Sequence, residues 1–351
     1  MKGLGVLAVA SLLSVGAMAA DNTISATARM GLIVRDNDST IQRNSSAIEA
    51  EFFRMNFDGV LNTSTKYHMV LDPVVANSAT DVTTNISSFI TELWINRAIG
   101  DATNLIVGKQ KVLTGSMEYW YATPDVYTYS QFNSAVTGRT AAATLSHKIM
   151  GQEFKVQLAN GNEDKRTGYT HAYGETGTTL AGAKSQSKFG YSFLYKGSVM
   201  DGMIKPILGY TVDPTERAGG ADTYLAGGAQ VNAAGFTVEA EYDLKTLKKA
   251  SGTDDKTVSS IVALVRHNGE NFQPFVKFIA DTKKTASVKT DARTAFDLGL
   301  EMKEVKDDSV RYHVVYSSQS THSTVANVYT KDTAKPSQIY AGVKFTADIL
   351  K

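Results

Sequence analysis

The sequence predicts an all-β chain whose strands run antiparallel, up and down, and close into a single barrel. Three observations carry this. Apolar residues recur at every second position through most of the chain, and the connections between these segments alternate strictly between short and long. After the first 19 residues, no apolar run approaches the roughly 18 residues that a membrane-crossing helix requires; the runs are short, such as Ile261 to Val265. A chain of this kind can cross a bilayer only with strands, each hydrogen-bonded to its neighbours in a closed ring.

Residues 1–19 read as a secretory leader: Lys2, an apolar core from Leu4 to Val15, and the small-residue cleavage site Ala17-Met18-Ala19. Residues 20–351 then form the barrel. The chain carries 36 Lys+Arg against 35 Asp+Glu, and loss of Lys2 with the leader leaves the two signs in balance. That neutrality, with no basic run, excludes nucleic acid as a partner. The absence of cysteine excludes a disulfide framework and a thiolate metal site.

Sixteen segments carry the period of two, at 23–34, 48–57, 66–75, 89–99, 105–112, 140–146, 153–159, 188–196, 203–212, 222–231, 236–244, 257–266, 272–280, 291–302, 310–317 and 338–349. In the first, Ile24, Ala26, Ala28, Met30, Leu32 and Val34 share a face opposite Thr23, Ser25, Thr27 and Arg29. Segment 236–244 puts Glu239, Glu241 and Asp243 on its polar face. In 291–302, Phe296, Leu298, Leu300 and Met302 oppose Arg293, Asp297 and Glu301. Val310, Tyr312, Val314 and Tyr316 follow, then Ile339, Ala341, Val343, Phe345, Ala347 and Ile349.

Short connections hold turn chemistry: Asp58-Gly59, Gly100-Asp101, Gly197 to Gly202, Asn232 to Gly235, Asn268-Gly269 and Asp307-Asp308. The long ones, 35–47, 76–88, 113–139, 160–187, 213–221, 245–256, 281–290 and 318–337, are polar. Tight turns at one end and long loops at the other are what an outer-membrane barrel requires, with an even strand number placing both termini on the periplasmic side. Aromatic placement favours this over a secreted soluble β protein. Phe57, Phe154, Tyr195, Phe236, Phe272 and Phe345 fall at the turn end, and Phe189, Tyr210, Tyr224, Tyr242 and Tyr316 at the loop end, as two interfacial girdles would.

The segment from Leu105 to Glu118, LIVGKQKVLTGSME, resembles the strand and following loop of Gram-negative porins, particularly the phosphate-selective family. The stretch from Phe52 to Asp72 is similar to the preceding strand, turn and strand. This resemblance implies a diffusion channel of 16 or 18 strands, commonly a homotrimer, in the outer membrane and surrounded by its lipid. Tyr340-x-Gly342-x-x-Phe345-x-Ala347, within 338–349, resembles the last-strand signal read by the barrel-assembly machinery; the chain continues past it through Ile349 and Leu350 to Lys351.

A barrel this wide keeps a water-filled lumen unless a loop narrows it. The candidate is the third long loop, 113–139, rich in aromatics and carrying Glu118, Tyr119, Trp120, Asp125 and Tyr127; the resemblance implies that it folds inward and forms the constriction. Arg29, Arg54, Arg311 and Lys344 fall on lumen-facing positions of strands that become contiguous on closure. A basic wall there, facing Glu118 and Asp125, would set up a transverse field that weakly selects ions. Lys109 and Lys111 are further lumen cations. Dedicated phosphate capture wants converging Arg/Lys forks with few competing acids, and the acids of 236–244 argue instead for a general, weakly selective pore.

Enzymatic chemistry finds little support. The six histidines show no metal-binding spacing, no Gly-x-Ser-x-Gly elbow is present, and no cofactor or metal is implied. His171 with Asp164 and His322 with Asp332 read as solvated loop residues. The expectation is therefore an outer-membrane porin passing small hydrophilic solutes and ions. The alternative is a structural or adhesive barrel acting through its outer loops.

Overall fold

In the computed structural model the described residues are 22–36, 45–72, 90–121, 125–136, 138–160, 189–214, 221–247, 255–285, 288–304, 307–325, 328–331 and 337–350. The leader and the loop pairs His171/Asp164 and His322/Asp332 lie wholly or partly outside them.

Among the described residues, seventeen strands form one antiparallel sheet: β1 (Thr23–Asp36), β2 (Ser45–Asn62), β3 (Thr65–Leu71), β4 (Ile90–Ile99), β5 (Thr103–Lys111), β6 (Arg139–Ile149), β7 (Gln152–Asn160), β8 (Phe189–Lys196), β9 (Ile204–Pro214), β10 (Ala221–Ala233), β11 (Phe236–Leu247), β12 (Lys256–His267), β13 (Phe272–Thr285), β14 (Val288–Glu304), β15 (Asp307–Val325), β16 (Val328–Lys331) and β17 (Ser337–Leu350). Sixteen of them close the ring. Each pairs with its sequence neighbour, β15 pairs with β17 through Val310 to Ser318, and β17 pairs with β1 from Leu350↔Ile24 to Ser337↔Asp36. The four residues of β16 pair only beyond that, with His322 to Val325 of β15. Two short helices, α1 (Met117–Trp120) and α2 (Gln131–Ala135), lie between β5 and β6.

The alternation resolves into an outer and an inner surface. Outward positions hold exposed apolar side chains around the ring, among them Leu93, Ile95, Val107, Val156, Leu158, Leu208, Val238, Ile261, Val276, Leu298 and Val314. A continuous apolar belt of this kind is stable against lipid and would aggregate in water. Inward positions are chiefly polar or small, with large apolar side chains such as Ile33, Leu264, Phe275 and Val315 gathered in buried clusters.

Three readings of the sequence are corrected here. The Asp58-Gly59 pair is not a turn: both residues stay in the ladder, opposite His68 and Tyr67, and the chain reverses at Asn62 to Thr65, where the Asn62 side chain accepts from the Ser64 amide at 3.0 Å. Gly59 serves close packing, because a Cβ there would stand 2.3 Å from the Tyr67 ring. The long connections 281–290 and 318–337 are also largely strand, β13 running to Thr285 and β15 to Val325. Beyond the apolar belt, Ser318 to His322 are half-exposed in succession, and this Ser/Thr-rich stretch keeps its backbone ladder with β14 after the apolar alternation has ended. Finally, Tyr224 does not belong to the outer girdle. Its neighbour Leu225 faces out, and Tyr224 points into the barrel, 2% exposed.

Candidate functional site

Loop 113–139 enters the barrel as soon as β5 ends and is fixed along the opposite wall. Its first anchor is backbone against backbone. A Cβ on Gly115 would stand 2.2 Å from the Gly209 amide nitrogen and 2.0 Å from the Ala226 carbonyl, and one on Gly209 would stand 2.2 Å from the Gly115 nitrogen. The Leu113 carbonyl accepts from Thr211 Oγ1 at 2.5 Å, and its amide donates to Gln157 Oε1 at 3.2 Å.

From there the loop follows β11 to β14, bound chiefly by charged side chains of the wall. The Glu241 carboxylate accepts from Ser116 Oγ and from the amides of Met117 and Glu118, which opens α1. Tyr121 donates its hydroxyl to Glu239. Thr128 Oγ1 donates to Asp297 at 2.6 Å, and the Gln131 amide to Asp281 at 3.1 Å. Cations complete the hold: Arg293 donates to the Tyr129 carbonyl at 2.5 Å, Lys245 to that of Ala135 at 2.6 Å, and Lys277 to that of Thr128 at 2.7 Å.

Glu118 lies at the centre of this arrangement. Its side chain is 1% exposed, pairs with Lys277 Nζ at 2.5 Å and accepts from the amide and hydroxyl of Ser130. It therefore ties the two helical turns together and lines no surface that a solute could touch. A buried carboxylate persists as an anion only with such partners, since the desolvation of each ion is worth several kcal/mol.

Asp125 and Tyr127 reach the seam between β17 and β1. Asp125 pairs with Lys344, and Arg29 donates to the Val126 carbonyl at 3.2 Å. Tyr127 stacks on Phe275 with centroids 5.7 Å apart, lies beside His313 and Tyr340, and carries the Arg29 guanidinium 5.0 Å above its ring. It packs on the apolar cluster of Ile33, Leu264, Phe275, Val315 and Tyr340. Phe132 of α2 packs edge-on against Tyr224 at 6.2 Å. Burial pushes the hydroxyls of Tyr119, Tyr121 and Tyr127 well above the usual phenol range, helped at Tyr121 by the charge of Glu239 and at Tyr127 by that of Glu301. All three remain protonated donors.

The basic residues read from the sequence divide three ways. Arg29, Arg54, Arg311 and Lys344 share the inner surface: Arg29 lies opposite Lys344, and Lys344 opposite Arg311. They do not face Glu118 and Asp125 across an open gap, however, because the loop is in contact with that wall. Arg54 pairs with Asp72 at 2.8 Å and Arg311 with Glu301 at 3.8 Å. Lys111 points inward, its Nζ 5.7 Å from the Tyr119 ring and 5.6 Å from that of Trp120. Lys109 departs from the reading: it lies in register with the exposed Leu93 and Ala141, on their face of the sheet, and its Nζ donates to the Ile90 carbonyl at 2.6 Å. No protein-family model and no curated protein sequence matches the chain.

Solved structures do match. The anion-selective porin of Comamonas acidovorans aligns with a TM-score of 0.63 at 11% identity, covering 93% of this chain and 99% of that one. OmpF of Salmonella typhi, in complex with daunomycin, gives 0.63 at 12%, covering 93% and 97%. In-vitro folded OmpT of Vibrio cholerae, in its trimer form, gives 0.60 at 9%, covering 93% and 100%. The fold is that of the outer-membrane porins. At these identities the likeness is one of architecture, and the site rests on this chain's own residues.

Within this porin fold the inner surface has two unlike halves. Inward side chains of β11 to β15 are buried under the loop. On β2 to β7 a subset, Arg54, Asn56, Glu92, Trp94, Asn96, Arg139, Glu153 and Lys155, is half-exposed, while Gln110, Thr144 and Gln157 form a buried hydrogen-bonded cluster. Lys277, Asp281, Arg293 and Asp297, the main wall anchors together with Glu241, were not singled out as loop partners from sequence. Alternation alone puts them inward, and the register pairs Lys277 with Asp297 and Asp281 with Arg293 across β13 and β14. What alternation lacks is the height at which the loop crosses. Gly209 left a weaker trace, as an inward glycine next to Ala226 on the neighbouring strand.

Proposed function

We propose that this chain is an outer-membrane porin: a passive, water-filled channel for ions and small hydrophilic solutes, weakly selective, working without a cofactor and catalysing no reaction. The observation that carries this is the placement of loop 113–139, held against β11 to β14 so that polar side chains such as Asn56, Glu92, Asn96, Glu153 and Lys155 stay half-exposed on the inner face of β2 to β7. A loop anchored so heavily narrows the lumen without being free to plug it. The half-exposed wall carries both signs, with Arg139–Glu92 and Lys155–Glu153 pairs, which suits discrimination by size more than by charge. In this reading the chain is exported on residues 1–19, is inserted by the barrel-assembly machinery through 338–349, and works as a homotrimer, the state named for the solved Vibrio protein. Burial of part of the apolar wall between three copies would shield it from lipid.

Planar-bilayer recording of the refolded protein tests the reading. Triplet conductance steps with a reversal potential near zero in a salt gradient are expected. A folded, inserted barrel that conducts nothing would overturn it.

A further inference from the structure

On the half-exposed side of the loop, Trp120 and two lysines form a group that the channel's architecture does not require. The indole is held rigidly: its Nε1 donates to the Thr114 carbonyl at 2.8 Å, it meets Tyr119 edge-on at 5.7 Å, and it packs on Leu113, Leu194 and Ile207. Over this ring stand Lys196 of β8, with Nζ 3.9 Å from the centroid, and Lys111 of β5, at 5.6 Å. Glu153 of β7 is in register with Lys196 but pairs with Lys155, the next inward residue of its own strand, at 3.3 Å.

Most of the other inner cations differ in their partners. Arg54, Arg139, Lys155, Lys245, Lys277, Arg293, Arg311 and Lys344 each have a carboxylate within 4.0 Å. Lys111 and Lys196 form no ion pair among the described residues, and both rest on the same indole. Cation–π attraction is worth about 0.5–2 kcal/mol and is loosely directional. A charge-assisted hydrogen bond to a carboxylate is the stronger and more oriented interaction, and each ammonium group can donate three.

We propose that Trp120, Lys111 and Lys196 form a binding station for small aromatic carboxylates in the lumen, a substrate class for the channel proposed above and dependent on that reading. The carboxylate takes hydrogen bonds from the two ammonium groups as they swing off the ring on their flexible stems. The ligand's ring then lies on the indole face they leave, with Leu113, Leu194 and Ile207 holding the indole from behind. Neither half suffices alone: a neutral aromatic finds the ring covered by ammonium groups, and a small aliphatic anion gains nothing from the indole.

The chain has two tryptophans, so fluorescence can isolate the site. In W94F protein only Trp120 emits. Titration with benzoate should give a saturable change that acetate reproduces only weakly and benzyl alcohol not at all. The K111Q/K196Q pair in the same background should weaken benzoate binding at least about 10-fold, as loss of two charge-assisted hydrogen bonds implies. W120F protein, with Trp94 alone, should be silent, and the difference between it and wild type supplies the same measurement if W94F folds poorly. A benzoate titration without saturation, an equal response to benzyl alcohol, or unchanged affinity in the lysine variant each overturns the station. Bilayer conductance of the same preparations separates the two readings: conduction without benzoate binding removes the station alone, whereas no conduction removes the channel.

Discussion

The two halves of the inner wall are built from the same residue types and use them differently. On β11 to β14, Lys277, Arg293, Glu241, Asp281 and Asp297 are covered by the loop and bonded to it. On β4, β6 and β7, Glu92 with Arg139 and Lys155 with Glu153 pair closer to solvent. The side chains of Lys277 and Glu118 are 10% and 1% exposed, those of Arg139 and Glu92 25% and 12%. Water access, more than charge content, decides what an ion pair does. Excluded from water, each partner depends on the other; in water, either can be lost with little effect on the fold.

The sharpest way to break the comparison is to remove one buried partner. Lys277→Met leaves Glu118 in the wall without its cation and should destabilise the barrel by about 3–5 kcal/mol, the range for an orphaned buried charge. Its equilibrium unfolding midpoint in lipid vesicles should fall accordingly, and single channels should flicker as the loop loosens. Adding Glu118→Met should recover most of the loss. A midpoint equal to wild type in the single variant would show that the covered wall is no different from the wet one.

The fold was legible because alternation sorts side chains between two solvents. The acid face of β11, the Arg293/Asp297/Glu301 face of β14 and the outward row from Tyr312 to Tyr316 follow from a period of two. Errors arose where a residue obeys another rule. Asp58-Gly59 has the composition of a turn but stays in the ladder, Gly59 packed against Tyr67, and β15 outlasts its apolar pattern through the half-exposed Ser318 to His322. The loop's destination was not legible. Glu118 and Lys277 are 159 positions apart, and no local pattern states how deep the loop lies. For the same reason Glu118 reads as a charge facing the pore when it is a staple, and Lys196 shows no special character until the loop brings Trp120 beneath it.

The loop's first turn offers a second, gentler break. Gly209→Val drives a branched side chain into the Gly115 backbone, where even a Cβ has 2.2 Å. The expected cost is about 1–3 kcal/mol, typical of overpacking, together with a larger and noisier conductance as the loop shifts off β9. Gly138→Ala, where an added Cβ meets nothing within 4 Å, is the control and should leave conductance unchanged. Equal conductance in Gly209→Val and wild type would mean that the loop does not depend on this seat.

The smallest effect on stability is expected on the wet wall, and it sharpens the contrast most directly. Glu92→Gln removes the partner of Arg139 just as Lys277→Met removes that of Glu118, but Arg139 keeps access to water and counter-ions. Stability should change by about 0.2–1 kcal/mol, the range for exposed pairs. The consequence should appear in permeation instead. One acid fewer beside Arg139, Lys111 and Lys155 makes this side of the lumen more positive, so the reversal potential in a salt gradient should move toward anions, and less so at high salt, where screening shortens the reach of each charge. A reversal potential that stays put would place the ion path away from β4 to β7. A loss of several kcal/mol would mean that this pair, too, is sealed from water, and the division of the lumen into a stapled wall and a conducting wall would fail.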